Sequence, residues 1–143
     1  MRISIASDHA AVHLRAHLVE SLVRQGYEVD DLGCDADARV DYPDFAAAVA
    51  GAVVTQQADR GILLCGTGIG MSIAANKIVG IRAAVVHDVT TARLAAEHND
   101  ANIVCIGARV TGPLVAEECV TAWLNTAFDP RHRARLAKIA AME

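Results

Sequence analysis

Short β-branched runs alternate with longer stretches of helical period along this chain, and that alternation limits the folds open to it more than any other feature. Residues 3–6, 27–32, 61–65, 82–86 and 103–106 read as five strands, each closing near Gly, Asp or His. Between and after them, residues 10–24, 45–56, 69–77, 91–97 and 113–126 read as helices. In the first helix Val12, Leu18, Leu22 and Val23 supply an apolar stripe and Gly26 a stop. Asp41, Tyr42, Pro43 and Asp44 form a turn and start signal for the second. Strict β–α alternation requires crossover helices that cover both faces of a parallel sheet. The expected fold is therefore α/β: a doubly wound, Rossmann-like, five-stranded parallel sheet with helices on both faces. A last helix, from about 131 to 142, follows Phe128, Asp129 and Pro130 with no strand after it.

With 143 residues, the chain has the size of one domain. The expected organisation is a single domain over 1–143, with 130–143 as a C-terminal helical appendage. Hydrophobic residues make up 53% and aromatic ones 3%, so the core must be built from Ala, Val, Ile and Leu. The apolar run at the N-terminus is too short for a signal peptide, and no stretch approaches the roughly 18 apolar residues of a membrane span. Cys34, Cys65, Cys105 and Cys119 include no CxxC pair and read as reduced thiols of a cytoplasmic protein. The net charge of −4 argues against a whole-protein grip on nucleic acid or membrane. It is unevenly spread: residues 130–143 carry +3, while 1–129 hold 9 basic against 16 acidic groups, or −7. Four basic residues fall short of a nucleic-acid-binding arm.

Ligands of an open parallel sheet bind beyond the carboxyl ends of its strands. The residues that follow the runs are Ser7, Asp8 and His9; Cys65 to Gly70; His87 and Asp88; and Gly107, Ala108 and Arg109. The segment Cys65, Gly66, Thr67, Gly68, Ile69, Gly70 takes a strand through a Gly-x-Gly-x-Gly turn into a helix. Such a turn gathers backbone N–H groups toward one point, which suits a phosphate or a reaction oxyanion; a purely structural turn is the alternative. A dinucleotide fingerprint would need glycine at Met71, and a Walker A loop would need Lys-Ser/Thr after the last glycine. Cys65, at the strand end and just before a helix, is placed where a thiolate would be stabilised for use as base or nucleophile.

His9, His13 and His17 recur every four residues, but no carboxylate or cysteine nearby in sequence completes a metal site. His13 and His17 read as exposed polar positions. His98 lies in a polar loop before the fifth strand and suits proton transfer near neutral pH. In the tail, Arg131 and Arg135 share a helix face beside His132, with Arg133 turned away; together they could fix a phosphate. Leu136, Ile139 and Ala140 form the apolar side of that helix.

With these motifs assembled, the chain resembles the type B ribose-5-phosphate isomerases, in the sugar-phosphate isomerase group that also contains galactose-6-phosphate isomerase subunits. The likeness spans Ser7-Asp8-His9, Asp41-Tyr42-Pro43, Cys65 to Gly70, Ala74-Ala75-Asn76-Lys77, Gly80 to Ala83, His98-Asn99-Asp100, and Arg131, His132 and Arg135. Two places often held by glycine and lysine in that family carry Ala11 and Arg15, both outside the expected chemistry. The resemblance implies a cofactor-independent aldose–ketose isomerase, dimeric or tetrameric, with active sites shared between subunits and ribose 5-phosphate as substrate. It implies that Cys65 is the base between C1 and C2, with Thr67 beside it, and that His98 opens the furanose ring. The amides of Gly66, Gly68, Ile69 and Gly70 would hold the enediolate oxyanion, and Asp8, Tyr42 and Asn99 the sugar oxygens. His9, Arg109, Arg131, His132 and Arg135 would gather at the phosphate, some from the neighbouring subunit. Loops at 35–40 and 88–91 would set the length of sugar accepted, leaving tetrose and hexose phosphates as alternatives. From a different class, a non-catalytic mononucleotide- or flavin-binding module fits the same sandwich and glycine loop.

Overall fold

The computed structural model describes residues 1–35 and 39–143. Its elements, in chain order, are β1 (Arg2–Ser7), α1 (Val12–Arg24), β2 (Glu28–Asp31), α2 (Tyr42–Val54), β3 (Arg60–Cys65) and α3 (Ile69–Ala75). They continue with β4 (Ala83–Val85), α4 (Val89–Asn99), β5 (Ile103–Gly107), α5 (Pro113–Leu124), a 3-10 turn (Pro130–His132) and α6 (Arg133–Ala140). The five strands form one parallel sheet in the order β2-β1-β3-β5-β4. The doubly wound α/β fold read from the alternation is the one found.

Period-two alternation along the strands divides the core into two layers. Ile3, Ile5, Ile62, Leu64, Val104 and Ile106 point to the face covered by α1, α4 and α5, where they meet Leu18, Leu22, Ala92 and Trp123. Ala6, Leu63, Cys65, Ile103 and Cys105 point to the other face and pack under α2 and α3 against Val49 and Met71. With so few aromatic residues, alanine lets the helices approach closely: Ala46, Ala50, Ala75, Ala92 and Ala116 are all fully buried.

Three local expectations are corrected. Val23 is 58% exposed, and the buried stripe of α1 runs instead through Leu14, Arg15, Leu18 and Leu22. His98 lies inside the last turn of α4, not in a loop; the helix continues to Asn99 and stops at Asp100, which adopts φ 43°. Asp tolerates this left-handed conformation better than most residues. Finally, Arg131 and Arg135 do not share one α-helix, since Arg131 sits in the 3-10 turn and α6 begins at Arg133. No residue of α6 is buried, and Ile139 remains 43% exposed along the rim of the sheet near Ile81 and Asn99.

Both edges of the sheet are short. On the outer side of β4, the Asn76 side chain pairs with Ala83 in both directions: its Nδ2 donates to the carbonyl at 2.8 Å and its Oδ1 accepts from the amide at 2.9 Å. The Ser72 hydroxyl donates to the same carbonyl at 2.9 Å, fastening α3 to the strand.

Candidate active site

Between β1 and β3 the chain changes its winding direction, the switch point at which a doubly wound sheet opens a crevice. Cys65 ends β3 there and is 5% exposed. The Gly68 amide turns back and donates to the Cys65 sulfur at 3.1 Å. That turn requires φ +79° at Gly68, and a Cβ there would also press within 3.1 Å of the Cys105 carbonyl. Thr67 is exposed at the tip, and its hydroxyl accepts a long bond from the Ile69 amide at 3.4 Å. After Ile69, the next amides of the first turn of α3 have no partner within the helix, which leaves them available to an incoming oxyanion.

Neighbouring strands brace the loop. The Ala108 amide donates to the Cys65 carbonyl at 2.8 Å and the Arg109 amide to the Gly66 carbonyl at 3.0 Å, so the segment after β5 runs alongside it. The Arg109 side chain lies over Gly66. On the other side the Asp8 amide donates to the Leu64 carbonyl at 3.2 Å, placing Asp8 and exposed His9 beside the end of β3. Tyr42, at the start of α2, lays its ring against Gly70 in the space a side chain there would fill. Asp8, His9, Tyr42, Cys65, Thr67, the glycine-loop amides and Arg109 thus share the carboxyl end of the sheet.

The remaining candidates form a second group at the opposite end. Helix α4 starts beyond β4 and runs back, so His98 and Asn99 lie beside the amino ends of the strands; the Arg82 Nε–H, just before β4, donates to the Asn99 carbonyl at 3.2 Å. The tail returns to the same place, with the Asp129 amide donating to the Glu97 carbonyl at 2.8 Å. His132, 7% exposed, stacks on His98 with ring centroids 4.3 Å apart. Arg131 Nε lies 3.2 Å from His132 Nε2, and an Arg135 terminal nitrogen lies 2.8 Å from Nδ1. A neutral imidazole offers one lone pair and a protonated one none, so the ring can accept from only one of these two guanidiniums. Asp129 takes up part of the excess by pairing with Arg131 at 2.8 Å. Burial, then His98, Arg131 and Arg135, holds the His132 pKa below the ordinary histidine value.

The other cysteines lack the setting of Cys65. Burial pushes the Cys105 thiol far up, with Cys65 adding to it, and raises Cys119 to about 11. Cys34 lies under the end of β1, its thiol 3.5 Å from the Ser7 carbonyl. Among the described residues no group of three or more His, Cys, Asp or Glu is placed to hold a metal. A carboxylate overlooked in the sequence does reach His17: Glu117, from α5, lies 2.9 Å from its Nε2 and ties α1 to α5. Neither the local sequence nor its spacing carries a signal for that pair. Of the two loops expected to set sugar length, 35–40 lies in part outside the described residues. The other opens α4, where Asp88 accepts from the Thr91 amide at 2.8 Å in a capping box.

A parallel α/β domain with a cysteine and a glycine loop at its switch point defines a small-molecule site of the α/β type. The comparisons with known proteins narrow this. The model of the family described as Ribose/Galactose Isomerase matches residues 3–139, and the chain belongs to that family and is an isomerase. It is 43% identical to ribose-5-phosphate isomerase B of Escherichia coli K12, over 99% of this chain and 96% of that protein. It is likewise 43% identical to the D-erythrulose-4-phosphate isomerase of Pectobacterium atrosepticum, over 90% of this chain and 86% of that one. The solved structure of ribose-5-phosphate isomerase B from Clostridium thermocellum superposes with a TM-score of 0.97 at 48% identity, covering 99% of this chain and 97% of the other. Among the described residues no helix is long and apolar enough to cross a membrane.

Proposed function

We propose that this isomerase interconverts ribose 5-phosphate and ribulose 5-phosphate through an enediolate, with Cys65 as the base. The observation that carries the reading is the Gly68 amide directed at the Cys65 sulfur across the glycine turn. In the forward direction His98 opens the furanose, and Cys65, as the base, takes the proton from C2. The negative charge develops on the substrate oxygens, where the amides of Gly66, Ile69 and Gly70 stabilise it while that of Gly68 faces the sulfur. As the O2 hydroxyl proton passes to O1, the carbon-bound proton is returned to C1 and gives the ketose. Thr67 stands beside the reacting carbons, while Asp8, Tyr42 and Asn99 hold hydroxyls. His9, Arg109, Arg131, His132 and Arg135 hold the phosphate, whose binding energy positions the reacting end. No cofactor is required, and the protein acts in the cytoplasm.

These groups meet only if two copies combine. The carboxyl-end and amino-end groups are separated by the length of α4, whose 11 residues span about 16 Å. A homodimer, or a tetramer built from such dimers, brings the amino-end group of one copy against the glycine loop of the other. Both guanidiniums crowding His132 then find an anion to share.

A tetrose phosphate is the second reading, supported by equal identity to the two named relatives. A panel of ribose 5-phosphate, D-erythrulose 4-phosphate and galactose 6-phosphate separates them. The highest kcat/KM is expected with the pentose. A preference of more than about tenfold for another sugar would replace it, and no turnover of any would remove the reading.

A further inference from the structure

Arg15 lies on the inward face of α1 and is only 8% exposed, on the same stripe as the core residues Ala11, Leu18 and Leu22. A guanidinium stays charged and is costly to bury unless its donors are taken up. All three nitrogens here have partners. Nε donates to the Asp31 carboxylate at 3.2 Å, one terminal nitrogen to the Ser7 hydroxyl at 2.7 Å, and the other to the Cys34 carbonyl at 2.7 Å. These acceptors come from two segments: Ser7 closes β1, whereas Asp31 and Cys34 flank the turn that leaves β2. Gly33, between them, lies against the guanidinium, where any side chain would clash with Nη1 and Cζ.

We propose that Arg15 is a positioning residue for the substrate end of β1, with Gly33 as its obligatory counterpart. The guanidinium locks Ser7 to the turn after β2, and Ser7 leads directly into Asp8 and His9. The inference rests on the proposed roles of Asp8 and His9 in binding substrate. Lysine would keep the charge, but its single nitrogen cannot span three acceptors on two segments as a planar fork does. Cys65 ends β3 and the glycine loop follows it, and neither is among the groups Arg15 holds, so the effect falls on binding rather than on proton transfer.

The test compares Arg15→Lys, Arg15→Ala, Gly33→Ala and the Arg15→Ala/Gly33→Ala double variant in the full-length protein. With ribose 5-phosphate, Arg15→Lys is expected to raise KM about tenfold and leave kcat within about twofold. Amide hydrogen exchange at Asp8 and Gly33 should quicken in the same variant. Gly33→Ala should lower the thermal midpoint strongly when Arg15 is present and little once it is alanine. Unchanged KM and exchange in Arg15→Lys, a fall in kcat at constant KM, or additive losses in the double variant would each overturn the proposal. Exchange and the double-variant coupling need no turnover, so they decide it even if the wild-type protein isomerises none of the sugars, a result that would sink the functional reading instead.

Discussion

His98 and His132 stack with their ring centroids 4.3 Å apart and their planes inclined by 34°. One ring ends α4 and the other closes the 3-10 turn, so the contact docks the basic tail onto the body of the domain. Because burial and three neighbouring basic groups favour neutral His132, its folded pKa lies below the unfolded value of 6.5. The unfolded chain then binds the extra proton more readily as pH falls below 6.5, and the stability this residue contributes is lost between that value and its lower folded one. The expected result is a His132 NMR titration midpoint below 6.5 that moves upward when inorganic phosphate is added. A midpoint at or above 6.5 in free protein would contradict the cluster's geometry.

Removal of the Cys65 sulfur tests the base. If Cys65 is the base proposed above, Cys65→Ala is expected to lower kcat by about 10²–10⁴ with KM little changed, since a base acts on the carbon-bound proton and not on the phosphate. Steady-state kinetics with ribose 5-phosphate check it; near-normal kcat would exclude the role.

Gly68→Ala must hold an L-residue at φ +79° and bring its Cβ to 3.1 Å from the Cys105 carbonyl. The conformational cost alone is about 1–2 kcal/mol. Thermal unfolding should show a midpoint roughly 2–8 °C lower, and turnover should fall with it as the amide leaves the sulfur.

Two inactive variants should rescue each other if the site is shared. Cys65→Ala lacks the proposed base at the carboxyl end, and Arg131→Ala lacks a proposed phosphate cation at the amino end. In a mixed dimer, one of the two sites draws both intact halves. Randomly reassorted subunits are therefore expected to recover about a quarter of wild-type activity. Activity assays after co-refolding provide the check, and no recovery would place each site within one chain.

The sheet was legible because parallel strands buried on both faces read as continuous apolar runs, as in 61–65 and 103–106. Cys65 and the glycine turn were legible for a related reason: a strand that passes through closely spaced glycines into a helix has few other geometries. Glu97, His98, Asn99 and Asp100 read as loop in sequence, whereas α4 is held to Asn99 by its apolar face and its dock with α5. Arg15 departs from the family pattern, and Ala11, Leu18 and Leu22 mark its helix face as buried; a charge on such a stripe is the signal that points to its packing. The contact between Glu117 and His17 joins residues 100 apart in sequence and could be seen only once α1 and α5 were packed.

The amide of Asn76 has a consequence for how copies of this domain behave in a crowded solution. An outermost strand with an open row of backbone donors and acceptors is a template on which another chain can polymerise. At Ala83 that row is already occupied by a side chain imitating a neighbouring strand. The opposite rim carries Glu28 and Asp30, whose exposed carboxylates repel a second copy of themselves. Substituting Asn76 would therefore uncover a sticky border on which fibrils can grow, an effect visible as light scattering on gentle heating well before the fold itself is lost.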